Sequence, residues 1–391
     1  MLVNQVANFV NSMNLQGSAG AIVLDTNFAN IVDVGKDIGA AMGHDKWTDQ
    51  AVDRIAKDMW ASDAYRTYRG VMPNVMMDGA TWGSILAKTR WDYEDAEDSQ
   101  VWELQDGAVY EQDKYKQPKL SQKFYNSLKT FQYQISIAKR QARSAWESGE
   151  QLAALITYLE KTVETQMTRS IDVLTAALYL NMIGDTLHDE YGTNPTGGAS
   201  HTKAVNLLYR YNQKNPDATL TAANCLDSKA FLAFASKEMG LYGERMSGMS
   251  RAFNIGKTLK FTPKDEQRWV MLADFVKAAD FYLEADTFHN QFVSIPESTV
   301  VPYWQGSGTD YGFDSVSKIY GTTATGNAVE QTGILAVLHD RYALGIWLAE
   351  RYADSHHNAP GQFDNFWYFA DANHINDYDE NFVVFFIADE E

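Results

Sequence analysis

The chain has a single cysteine, Cys225, among 391 residues. That excludes any disulfide within it and any cysteine-built zinc or iron–sulfur site, and it fits a reducing compartment. A lone cysteine is more often a small buried apolar residue than a nucleophile. Long apolar runs are missing too. The longest, Phe382 to Ala388, has seven residues, far short of the ~20 that cross a bilayer. The first residues, MLVNQVANFVNSMN, lack the basic n-region and apolar h-region of a secretory signal, so a soluble cytoplasmic product is expected. Basic charge is scarce: 33 Lys and Arg stand against 51 Asp and Glu, a net charge of −18. A protein that grips nucleic acid needs a basic patch to displace counterions. The densest cluster here, Lys139, Arg140 and Arg143, reads as a solvated segment leading into a helix.

Catalytic signatures are also absent. There is no G-x-x-x-x-G-K-[ST] phosphate cradle, no G-x-G-x-x-G turn, no H-E-x-x-H helix and no G-x-S-x-G elbow. His356 and His357, followed by His374, are the nearest approach to a metal set. Adjacent residues on a strand point to opposite faces, and Asp354, Asn358, Pro360 and Gly361 read as a turn. Glu160 and Glu164 are one helical turn apart and belong to a solvated face, and no Glu-x-x-His pair accompanies them. No catalytic, cofactor-binding or metal-ligating residue is therefore assigned, and no cofactor is expected. An acidic intracellular hydrolase stays open as an alternative. Two deeply buried, close carboxylates with shifted titration would mark it.

What the chain does have is one long helical stretch, from Trp146 to Leu187. No glycine or proline falls between Gly149 and Gly184. Leu152, Leu155, Leu159, Val163, Met167, Ile171, Leu174, Leu178 and Met182 recur in steps of three or four, a stripe down one face. Ser148 with Gln151 fits a capping box, and Gly184 reads as the stop. Met239, Met246 and Met249 read as gap fillers.

Around this rod the pattern changes repeatedly. Residues 1–60 read as an arm, with a short amphipathic piece at Trp47, Ala51, Ile55 and Met59. Between Trp82 and Phe131 core-type runs are few, and Asp92, Glu94, Asp95, Glu97 and Asp98 place five acids in seven residues. Such a run repels itself and projects into solvent or meets a basic partner. A long hairpin with a charged tip satisfies the pattern, and a hairpin of that kind is marginal alone. Phe131, Tyr133, Ile135 and Ile137 alternate with polar residues as a strand. After the helix, GTNPTGG over 192–198 is a turn cluster. Asp227 is the expected cap of a helix opening at Ala230–Phe234. Trp269–Phe292 reads as a strand followed by a helix, and Gly306–Gly326 as an exposed loop. Strands are expected at Ile334–Leu338, Leu344–Trp347, Phe366–Phe369 and Phe382–Ile387.

This order of parts, with the closing run LAVLHDRYALGIWLAERYADSHHNAPGQFDNFWYFADANHINDYDENFVVFFIAD, resembles the major capsid proteins of tailed phages. The nearer likeness is to the major head proteins of small short-tailed phages with protein-primed replication. The resemblance implies an α+β Hong Kong 97-type fold. Its parts would be an arm at 1–60, an extended loop with flanking peripheral-domain strands at 61–138 and a spine helix at 139–190. The axial domain and remaining peripheral-domain strands would fill 191–391. It implies a shell of pentamers and hexamers, icosahedral or prolate, assembled in the host cytoplasm around double-stranded DNA that it does not bind specifically. Scaffolding, portal and decoration proteins would be further partners, with no membrane involved. Arg90, Trp91, Asp92, Glu94, Asp95, Glu97 and Asp98 would touch neighbouring subunits. A cellular nanocompartment shell of the same fold is the related alternative.

Overall fold

The computed structural model describes residues 7–8, 10–11, 16–17, 20–25, 27–41, 47, 72–77, 85–91, 106, 120–138, 140, 149–192, 199–217, 219–284, 298–305, 310–323, 325–358 and 362–389. The chain folds into two compact units, and it is α+β.

The first unit comprises Met1–Gly83, Leu128–Tyr179 and Gly345–His374. A short pair, β1 (Gln16–Gly17) with β2 (Gly20–Ala21), and helix α1 (Ile31–Ala41) come first. The unit's main sheet has the order β12-β13-β5, from β5 (Leu128–Ala138), β12 (Leu344–Asn358) and β13 (Phe363–Asn376). Alternation in β5 sends Ile135 and Ile137 inward and leaves Gln132, Gln134 and Ser136 exposed, the period-two pattern of a half-buried strand. Register aligns Ile135 with Phe366, Tyr133 with Tyr368 and Phe131 with Ala370, so both strands present apolar side chains to one core. That core is completed by Leu159, Val163 and Met167 of the long helix and by Ile31, Val34 and Ile38 of α1.

Residues 1–60 are thus not a detached arm where they are described. Ala7, Val10, Leu24 and Trp47 are buried in the same core, because their apolar side chains gain more from burial than an isolated arm offers. Residues 48–60 lie outside the described part. Strand β12 runs on through Asp354 to Asn358, so Asp354 sits in a strand and not in a turn. Its exposed position makes the charge tolerable.

The long helix α2 spans Gly149–Tyr191. Every described member of its expected stripe from Leu159 to Met182 is buried; Leu155 is half-buried, and the side chain of Leu152 and all of Ser148 lie outside the described part. Thr168, Thr175 and Thr186 are buried as well, each donating its hydroxyl to the carbonyl four residues back. Gly184 does not end the helix. The stop is Gly192, at φ 76, whose N–H donates to the carbonyl of His188, the left-handed C-cap that glycine adopts without steric cost.

The second unit comprises Ser84–Ser127, Leu180–Leu344 and Ile375–Glu391. Its five-stranded sheet has the order β6-β14-β11-β7-β8. The strands are β6 (Ala204–Asn206), β7 (Gln267–Leu272), β8 (Thr299–Val301), β11 (Ile334–Asp340) and β14 (Phe382–Phe386). Every residue of β11 and β14 is buried, which explains their unbroken apolar runs: both faces are covered. One face carries α3 (Leu207–Lys214), α4 (Lys229–Met246) and α5 (Ala273–Glu284). Tyr211, Phe231, Met239 and Phe275 pack there against Trp269, Met271, Leu338 and Phe385. On the other face the Tyr191 ring meets Phe386 edge-on at 5.9 Å.

Three expectations in this unit need correction. The cap of α4 is Ser228, which accepts from the Phe231 N–H; Asp227 sits one residue too early, in a preceding 3₁₀ turn. Met239 and Met246 fill core space, but Met249 is half exposed. The segment 306–326 is not one loop, since 313–316 forms a helical turn and β9 (Ile319–Thr322) pairs with β10 (Ala328–Gln331). Ile319 and Val329, both fully buried, fix that pair.

Candidate assembly surface

Within the second unit, β3 (Leu86–Trp91) and β4 (Leu120–Tyr125) form an antiparallel ribbon of their own. It is a separate two-stranded sheet, hydrogen-bonded to no other strand among the described residues. The register sets Lys88 beside Lys123, Arg90 beside Ser121 and Leu86 beside Tyr125. Ala87 and Phe124, Thr89 and Gln122, and Leu120 then share the opposite face, because successive side chains alternate.

The first face is charged and seated. Lys88 Nζ lies 2.6 Å from Asp377 and 2.5 Å from Glu380. Arg90 reaches Asp377 at 3.3 Å, Asp379 at 3.1 Å and Glu380 at 3.1 Å. Lys123 pairs with Asp379, and Lys260, from the loop before β7, approaches Glu380 at 2.5 Å. The Asp377 and Glu380 side chains are 0% and 1% exposed. Burial alone would raise both carboxyls; the Lys88 ammonium, with Lys260 at Glu380, outweighs it and holds both below the usual range. The Tyr125 hydroxyl is pushed up by burial and by the Asp377 charge.

The acids occupy a tight turn between β13 and β14. The Asp379 N–H donates to Asp377 Oδ1, the Asp377 N–H to the carbonyl of Ala343, and the Gly256 N–H to that of Tyr378. Thr258 donates its hydroxyl to Asp379, and Tyr378 donates its own to Asp185 at 2.7 Å. Beneath lies a buried polar layer in which Asn381 donates to Thr262 and Thr262 to Asp340.

The opposite face is uncharged and open. Phe124 is 64% exposed, Leu120 55% and Ile85, which leads into β3, 60%. Ala87, Thr89 and Gln122 between them are exposed too. On a chain of net charge −18 this ribbon face stands out as apolar and neutral.

Of the residues expected to touch neighbours, only Arg90 and Trp91 are described. Arg90 forms ion pairs with acids of its own chain. Trp91 pairs with Leu120 in the ribbon's ladder. Asp92, Glu94, Asp95, Glu97 and Asp98 lie outside the described part. The signal missed in the sequence was the pairing of Lys88 and Arg90 with acids some 290 residues further on. With 51 acids, nothing local singles out those three.

Chemistry that turns over a substrate has no seat in this cluster. The buried carboxylates are close, as a hydrolase would require, but they are saturated by cations, hydroxyls and backbone N–H groups. They are also held ionised, the reverse of a general acid. The cavity of about 610 Å³ elsewhere in the unit is lined by Gly240, Glu244, Lys264, Trp269 and Thr299, among others, and none of the cluster reaches it. Cys225 is buried, and that burial pushes its thiol up to about 12, which makes it inert.

What the cluster offers is a seated ribbon with an open neutral face, a surface for contact and not for turnover. The chain belongs to the family of Phi29-like phage major capsid proteins, whose family model matches residues 7–386. It is a major capsid protein of a tailed phage, a structural protein and not an enzyme, and its place is the virion shell. No curated protein matches its sequence.

Among solved structures it is similar to the capsid structure of Staphylococcus phage Andhra at 12% identity and a TM-score of 0.44, over 82% of this chain and 87% of that one. The capsid of Ralstonia phage GP4 is similar at 13% identity and a TM-score of 0.42, with the same coverage. The capsid structure of the cyanophage P-SCSP1u follows at 9% identity and a TM-score of 0.42, over 80% of this chain and 85% of that one.

Proposed function

We propose that each copy grips the next in the shell through the open face of the β3–β4 ribbon, centred on Phe124, Leu120 and Ile85. The observation that carries this reading is the polarity of the ribbon: one face ion-paired at home, the other uncharged and exposed. Exposed apolar patches rimmed by polar residues mark association surfaces, and a closed array multiplies a modest contact over many copies. In the Hong Kong 97-type arrangement that the element order fits, the ribbon is the extended loop and α2 the spine. The charged run Asp92–Asp98 would meet basic groups of a neighbour. Pentamers and hexamers in an icosahedral or prolate shell follow from this arrangement. Scaffolding, portal and decoration proteins would meet the same shell.

The test is a pair of substitutions, Phe124→Ser and Leu120→Ser, in the expressed chain. Both side chains are mostly exposed, so circular dichroism and Tm should be nearly those of the parent, within about 0.5 kcal/mol. Electron microscopy should show closed particles lost or reduced at least tenfold. Normal particle numbers from the double variant would overturn the assignment of this face.

A further inference from the structure

We infer that Asp377, Asp379 and Glu380 are positioning residues for assembly: their turn fixes the orientation in which the β3–β4 ribbon is held within the second unit. The inference rests on the ribbon being the gripping element. It adds what aims it.

A two-stranded ribbon is marginal by itself. This one shares no backbone ladder with another strand among the described residues. Beyond chain continuity, its direction then comes from side chains: of the six on its seated face, Lys88 and Arg90 from β3 and Lys123 from β4 carry charge. They meet Asp377, Asp379 and Glu380. Lys260 and Thr258 approach the same acids from the loop before β7, and Asp340 adds its charge from the end of β11.

Arg90 is the directional member. Its planar fork touches all three acids, and such a fork fixes orientation where an ammonium supplies only charge. The turn is rigid in its own right, through the Asp377–Asp379 side-chain bond and the backbone bonds to Ala343 and Gly256. A ribbon held this way needs less ordering when it meets a neighbour, so more of the contact energy serves association.

The experiment is hydrogen exchange followed by mass spectrometry on the whole 391-residue chain before assembly. Asp377→Asn with Glu380→Gln removes two buried charges, and the asparagine keeps the oxygen that accepts from the Asp379 N–H. Peptides from 86–91 and 120–125 should exchange roughly tenfold faster or more, the factor implied by losing a charge-assisted hydrogen bond. Strand β11 (334–340) should keep its protection. Arg90→Gln, which leaves the acidic turn intact, should act in the same direction if the double variant fails to fold, and Arg90→Lys should fall between it and the parent.

Unchanged exchange in the ribbon would overturn the inference. So would a matched rise in β11, since the acids would then serve general stability. Because exchange is read before assembly, it stands or falls separately from the particle counts of Phe124→Ser and Leu120→Ser.

Discussion

His339 shows how much one buried side chain can govern. It lies inside β11, 2% exposed, with Nδ1 2.8 Å from the Asp340 carbonyl oxygen. Burial lowers its pKa to about 4, because a charged imidazole in that apolar layer would lose its hydration. The unfolded chain takes up the proton near pH 6.5 while the native chain refuses it until about 4. The native state is therefore undiminished above about pH 6.5 and loses stability progressively down to about 4. Thermal melts of wild type should fall along that window, and those of His339→Gln should fall less steeply. Asp377 and Glu380 act lower down. Their depressed values stabilise the fold above the ordinary carboxylate range, near pH 4, and that contribution disappears as the pH falls through the lower native values.

Among the elements, α2 and β5 were the most legible in the sequence. A stripe in steps of three and four from Leu159 to Met182, or the alternation Phe131–Ile137, is a local record of which side chains face the core. Gly184 reads as the end of α2 in the sequence, yet it is an interior residue whose hydrogen faces Val329 of β10, where an added methyl would lie 3.8 Å away. Only a fold places β10 there. The β9–β10 pair was hidden for a related reason: its four-residue strands carry too few apolar positions to show a period. The ribbon itself reads as a hairpin, yet its anchor is invisible in the sequence, since ion pairing between Arg90 and Glu380 leaves no periodic trace.

A glycine comparison tests the element ends. Gly192→Ala meets nothing within 4 Å and carries only the backbone cost of φ 76, about 1–2 kcal/mol. Gly333→Ala also drives a methyl to 2.1 Å from the Ile387 carbonyl oxygen. It should cost clearly more and depress Tm further in the same melt series.

At the scale of the molecule, net charge decides how the chain meets nucleic acid. A net charge of −18 makes like-sign repulsion the default toward a polyphosphate, and no counterion release is on offer. Gel-shift and sedimentation assays of the chain with duplex DNA should show no tight binding even at low ionic strength. Micromolar binding strengthened by dilution of salt would contradict this. Phage identity was legible mainly from the closing strands. What the sequence withheld was that the described residues before 60 join a core instead of trailing from it, because burial of Trp47 and Ile38 depends on partners far along the chain.

The order in which the parts are made has its own consequence. Strand β14 lies between β6 and β11, and the acidic turn that seats the ribbon comes immediately before it, some 290 residues after the ribbon's first strand. A nascent or prematurely terminated product carries the ribbon with nowhere to lodge it. With the ribbon as the gripping element proposed above, a product ending before Asp377 would join a growing lattice poorly.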